Sequence, residues 1–153
     1  MTFNKEDAVA RKQQQIKVGL NLEIGPPPKY QWSAWVLDVA NSEIRNTFAK
    51  PAVEHLILQV QELAREPSPS SSDILRIEKV EDFFELKDKG GVLGNVNARL
   101  FFGIDKRERA IVIIGGMKKQ NNGKTPAGDR VRMRRRWRNY LDGTYGKPGG
   151  GVR

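Results

Sequence analysis

From Tyr30 to Val39, Tyr30, Trp32, Ala34 and Val36 alternate with Trp35, Leu37 and Val39, a segment apolar on both faces that predicts a core β-strand. From Ser42 to Arg65 the period changes. Phe48, Ala52, Leu56, Val60 and Leu63 recur three or four residues apart, which predicts one long amphipathic helix or two helices meeting near Pro51, a residue suited to a first helical turn. The stretch EPSPSSS ends that pattern as a loop. Three short runs rich in Ile, Val and Phe follow, Ile74 to Leu86, Ala98 to Ile104 and Ala110 to Met117. They are separated by turn-forming segments, Lys87 to Asn97 and Asp105 to Arg109, and predict an antiparallel meander. Thr125-Pro126 marks a helix start, with a hydroxyl able to cap free N–H groups and Pro at the first helical position. In that helix Met133, Trp137, Tyr140 and Leu141 are expected on one face against the sheet, and Gly143 ends it.

The expected fold class is α+β: a small antiparallel sheet in β-α-β-β-β-α order, a long helix in the N-terminal half, and a basic C-terminal helix packed on the sheet. Residues 1–28 read as an N-terminal extension, partly helical or disordered. Its segment Lys5 to Lys17 is charged and Gln-rich, and Pro26-Pro27-Pro28 forms a stiff border. Residues 29–143 form the domain, and 144–153, rich in Gly, read as a flexible tail.

Composition narrows the chemistry. A hydrophobic share of 38% in 153 residues supports one packed domain and excludes a wholly disordered chain. Cys is absent and His55 is the single histidine, which excludes disulfide scaffolds, zinc-cysteine sites, thiol catalysis and His-pair acid/base work; no metal or cofactor is expected. No apolar run approaches the roughly 20 residues of a membrane span, and the start MTFNKEDAVARKQQQ has no signal-peptide core, so a cytoplasmic protein without a membrane partner is expected. GKT at Gly123 to Thr125, and the pairs Gly90-Gly91 and Gly115-Gly116, lack the spacing of a phosphate-binding loop, so no nucleotide cofactor is expected.

The net charge of +9 is unevenly placed. Residues 1–75 carry net −1 and residues 76–153 net +10, centred on Lys118, Lys119, Lys124, Arg130, Arg132, Arg134, Arg135, Arg136 and Arg138 against Asp129 alone. Such a run without acids at i+4 points to a polyanionic partner, and arginine suits bidentate phosphate contact. The plainer reading is a solvated helix face.

The ordered series FFELK (Phe83 to Lys87), a glycine-containing turn, ARLFFGID (Ala98 to Asp105), AIVIIGGMKKQNNGKTP (Ala110 to Pro126) and a closing basic helix resembles the RelE/ParE toxin superfamily, in particular its HigB-like branch. The resemblance covers about 60 consecutive residues from Phe83 onward; the strand and helix from Tyr30 to Arg65 fit the β-α opening more loosely. It implies the toxin of a type II toxin-antitoxin pair, a ribosome-dependent mRNA endonuclease acting in the A site of the 30S subunit and silenced by a cognate antitoxin. Carried over by position, Lys87 matches the basic residue of an ELR-like strand, where Arg is more usual. Arg99 matches the strand Arg, and Lys118 and Lys119 the basic loop after the last strand. The alternatives are a non-catalytic module of the same fold binding nucleic acid or an acidic protein, and a gyrase-directed toxin.

Metal-free RNA cleavage needs a base for the 2′-OH, an acid for the leaving 5′-oxygen and cations for the phosphorane. Arg99, permanently charged and planar, suits a bidentate clamp; Lys87 and Lys119, crowded by cations, suit proton exchange. Lys118, Lys124, Arg130, Arg134, Arg135 and Arg138 then hold the nucleic-acid backbone. Each also has a structural reading: Arg99 as a cross-strand partner of Glu85, the lysines as ordinary strand-end residues, Trp137 and Tyr140 as core, His55 as a helix residue.

Overall fold

The computed structural model describes residues 30–89, 97–119 and 124–148, with the backbone of Ile16–Lys17. The rest of the N-terminal extension, residues 90–96 with the Gly90-Gly91 turn, and residues 120–123 and 149–153 lie outside the described residues. The elements in chain order are β1 (Ile16–Lys17), β2 (Ser33–Val36), α1 (Asp38–Thr47), α2 (Lys50–Arg65), β3 (Arg76–Lys79), β4 (Phe84–Lys89), β5 (Asn97–Asp105), β6 (Ala110–Lys118) and α3 (Ala127–Leu141).

The class is α+β, but the sheet is mixed where the hydrophobic pattern predicted an antiparallel one. Its order is β1-β2-β6-β5-β4-β3. Strands β3 to β6 form an antiparallel meander, and β2 joins parallel to β6 with Ala34 opposite Ile111 and Val36 opposite Ile113. Parallel pairing needs a long connection, and α1, α2 and strands β3 to β5 lie between β2 and β6 in the chain. Periodicity marks a strand without naming its neighbour, so this pairing is not legible from the pattern.

The long apolar stretch after Ser42 is two helices. Phe48 leaves the helical region and Pro51 sits in the first turn of α2, where its missing N–H costs little. Phe48, Ala52, Leu56, Val60 and Leu63 are all buried. The run Ile74 to Leu86 is likewise two strands. Polar Glu81 and Asp82 occupy the reversal, closed by a Val80 N–H bond to the Phe83 carbonyl at 3.0 Å. Lys87, expected at the start of a turn, lies inside β4, which continues to Lys89.

Helix α3 packs on β5 and β6 through Met133, Trp137 and Tyr140, all buried. Leu141, expected on the same face, is 56% exposed; eight residues on from Met133 it lies well round the helix from the buried stripe. Two glycines permit the close approach. A Cβ at Gly103 would collide with the Trp137 ring, and one at Gly115 with the end of Met133. Gly143, at φ 92°, turns the chain back so that Tyr145 rejoins the core at 8% exposure. Tyr145 falls in the segment expected to be a flexible tail.

Candidate functional site

The pleat brings alternate residues of three strands to one face of the sheet. Cross-strand register sets Arg76 opposite Lys87 and Lys87 opposite Arg99, and in the adjoining row sets Glu78 opposite Glu85. Lys119 follows β6, with its N–H bonded to the Asn97 carbonyl at 2.8 Å. The three residues expected to carry the chemistry, Lys87, Arg99 and Lys119, therefore gather at one end of the sheet, around Glu85.

Arg99 is the largest of the fully buried side chains, at 0% exposure. Its Nε lies 3.3 Å from Oε2 of Glu85, which is 1% exposed, and its Nη1 donates to the Asn97 side-chain oxygen and to the Ala98 carbonyl at 3.4 Å. The guanidinium fork is thus engaged within the protein, so the site shows no open bidentate clamp. The Thr125 hydroxyl donates to the same Glu85 Oε2 at 3.2 Å. That hydroxyl was expected to cap α3; the helix instead starts after Pro126 with no side-chain cap, because Thr125 faces the cluster. Lys119 Nζ donates to the Lys124 carbonyl at 2.8 Å, and Lys87 Nζ lies 2.9 Å from Glu78 Oε1.

Burial and mutual charge set the protonation of this group. Glu85 is pushed up from the ordinary carboxylate range by burial, against the pull of Arg99, Lys87 and the Thr125 hydrogen bond. Lys119 is pushed down, first by burial and then by Arg99. Glu78 is held low by its hydrogen bond from Lys87. A lysine lowered in this way exchanges protons more readily near neutrality, and a carboxyl raised in this way can hold or accept one.

The arginines of α3 are not the open row that their sequence suggests. Glu81, in the β3–β4 reversal, takes Arg134 in a two-pronged contact at 2.6 and 2.5 Å and Arg130 at 3.4 Å. Glu43, on α1, takes Arg136 at 3.0 and 3.2 Å and Arg132 at 3.2 Å, and also accepts the Gly116 N–H at 2.9 Å. Each glutamate grips an i, i+4 pair, one on either side of the buried Met133–Trp137 stripe. Arg135 and Arg138 are exposed and make no ion pair among the described residues. With Lys118, whose ammonium stands 5.9 Å from the Phe48 ring centre, and exposed Lys124, they are, among the described residues, the cations of the Lys118–Arg138 run turned to solvent.

His55 is on α2, with Nε2 3.5 Å from the Asp88 carboxylate, which Gln59 also contacts at 3.2 Å. Nothing places it beside Arg99. Reading by sequence missed Glu43, Glu78, Glu81, Asn97 and Thr125. The charged reversal EKVED between two apolar runs was a signal for Glu78 and Glu81; Glu43 had none. Among the described residues no three His, Asp or Glu side chains gather as metal ligands, and no helix is long and apolar enough to cross a membrane. Compared with protein-family models, curated proteins and solved structures, the chain finds no match.

Proposed function

We propose that the protein is a ribosome-dependent mRNA endonuclease of the RelE/ParE type, the toxin partner of a cognate antitoxin. The observation that carries this reading is the convergence of Lys87, Arg99 and Lys119 from two strands and the end of a third. In the reaction the ribose 2′-oxygen loses its proton to a base and attacks the adjacent phosphorus. The P–O bond to the 5′-oxygen breaks, and that oxygen takes a proton from an acid, leaving a 2′,3′-cyclic phosphate. Lys119, lowered by burial and neighbouring cations, serves as the base in its neutral form. Lys87, partly buried and paired with Glu78, protonates the leaving oxygen. Arg99 does not contact the phosphate in this arrangement; its fixed charge beside Glu85 orients the two lysines and favours the phosphorane. The ribosome supplies the positioning that such weak acid and base groups lack.

A second reading rests on the complete burial of Arg99 and its pairing with Glu85, which suit a structural cluster. The protein is then a binding module that uses Arg135, Arg138, Lys118 and Lys124 on nucleic acid or an acidic partner. Inducible expression of the wild type, Lys119→Ala and Lys87→Ala in a bacterial host separates the two. Growth arrest with new mRNA 5′ ends inside codons, lost in both variants that still fold, is expected from the nuclease. Arrest without cuts points to a gyrase-directed toxin, and no arrest to the binding module.

A further inference from the structure

Beside the cluster the edge of the sheet forms an open cleft of about 340 Å³, lined by Ser70 and Ser71 from the loop after α2, by Arg76 and Glu78 from β3, and by Lys87 from β4. Its size falls within the lower range of small-ligand sites, enough for one nucleotide unit. The charges around it do not balance. Among the described residues, Arg76 and Lys87 line it with Glu78, and behind Lys87 stands the Arg99–Glu85 pair, three cations against two carboxylates.

The two carboxylates differ in kind. Glu85 is buried and held by Arg99 and Thr125. Glu78 is 53% exposed, meets Lys87, whose side chain is only 11% exposed, at 2.9 Å, and shares a hydrogen bond with the Glu85 carboxyl across the strand pair. An ion pair with one flexible, solvated partner adds little stability and exchanges readily. Lys87 thus holds one anion at the cleft, and that anion is on a solvated stem. Arg76, exposed and making no ion pair among the described residues, lines the same cleft with a guanidinium suited to a phosphate.

We propose that this cleft is a phosphate subsite for single-stranded RNA, formed by Lys87 and Arg76, and that Glu78 is its gate, standing on Lys87 where the phosphodiester binds. Bound RNA displaces the Glu78 carboxylate, which swings to solvent, and the excess positive charge of the cluster favours the exchange. The choice of RNA rests on the nuclease reading; the gate itself does not.

The test is fluorescence anisotropy with a short fluorescein-labelled 2′-O-methyl oligoribonucleotide, which cannot be cut, on the full chain. Glu78→Gln is expected to bind about tenfold more tightly than wild type at low salt, with an unchanged log–log salt dependence, because the phosphate reaches Lys87 and Arg76 in both. Adding Arg76→Ala to Glu78→Gln should return the affinity toward wild type, whereas Lys106→Ala, in the turn after β5, should leave it unchanged. Thermal melts of each variant establish that the chain is folded. Affinity for RNA no tighter in folded Glu78→Gln than in wild type overturns the gate, as does tightening on a DNA strand but not on RNA. If Glu78→Gln tightens binding while wild-type expression produces no mRNA cuts, the subsite stands and the nuclease reading falls; cuts without tightening overturn the gate and leave the nuclease reading standing.

Discussion

Helix α3 and the end of the sheet at Arg99 are both strongly basic, yet they use their charge differently. Along α3 four arginines are partly exposed and tied to two glutamates from other elements, so the cations strap the helix to the domain. At Arg99 the cation is fully buried with a buried carboxyl, and the neighbouring lysines complete a compact group. Among the described residues, the denser run in the sequence leaves Arg135 and Arg138 without ion pairs on the outer face of the helix. The scattered set, Lys87 and Arg99 on neighbouring strands and Lys119 just past a third, forms the cluster. Charge density along a chain does not measure charge available in space.

The sharpest way to test this contrast is to remove one partner of the buried pair. Arg99→Ala leaves Glu85 uncompensated and is expected to cost about 3–5 kcal/mol in urea unfolding, whereas replacing both residues by leucine should recover most of that loss. An Arg99→Ala cost below about 1 kcal/mol would show that the pair is open to solvent, where exposed ion pairs contribute little. For this reason loss of activity in Arg99→Ala alone says little about chemistry.

Next in size is the contact that seats α3. Gly103→Ala drives a methyl group into the Trp137 ring, and overpacking of this kind is expected to cost about 1–3 kcal/mol, read as a lower denaturation midpoint. A neutral result would mean that the helix is held by its arginine straps more than by its apolar stripe.

The straps themselves come next. Glu43→Ala removes the acceptor of the Gly116 N–H along with two arginine contacts, and about 1–3 kcal/mol should be lost. Glu81 offers a pH test. Arg134 holds its carboxyl below the ordinary value of 4.5, so its stabilising contribution is complete above that value and is lost as the pH falls through the lower, folded value. Glu85 has the opposite sign: burial raises it, so ionising it costs stability as the pH climbs from 4.5 toward the raised value. Glu81→Gln should therefore flatten the acid limb of a plot of melting temperature against pH; an unchanged limb would show that the Arg134 contact does not persist in solution.

The smallest stability effect is expected at Arg135 and Arg138. Changing both to alanine should move stability by less than about 0.5 kcal/mol for each. Nucleic-acid affinity should nevertheless fall, with a salt slope lower by about 0.7 for each single-strand phosphate contact removed. A stability loss as large as that of Glu43→Ala would erase the distinction between strapping and free arginines.

Much of this architecture is legible in the amino-acid sequence. Met133, Trp137 and Tyr140 share a face because helical geometry repeats every 3.6 residues whatever surrounds it, and Ala52, Leu56, Val60 and Leu63 obey the same rule. Strands β5 and β6 follow from their runs of Ile, Val and Phe. Lys87, Arg99 and Lys119 stand out through a resemblance, and the fold brings them together. Thr125 departs from its local signal: Thr-Pro is a sound helix start, and only the nearness of Glu85 diverts its hydroxyl. The arginines of α3 look unpaired in sequence because their partners lie 53 and 93 positions away for Arg134 and Arg136.

By itself the amino-acid sequence determined the α+β class, the apolar periodicity of the main helical and extended segments, and that positive charge accumulates after residue 75. Those properties come from neighbours within a few residues, where backbone geometry fixes the period. Only the tertiary structure decided that β2 lies parallel to β6, that Glu43 and Glu81 each pair with two arginines, and that Glu78 stands on Lys87. Strand register and the packing of α3 bring distant residues within hydrogen-bond reach, and at that range a carboxylate chooses its partner by distance in space rather than along the chain.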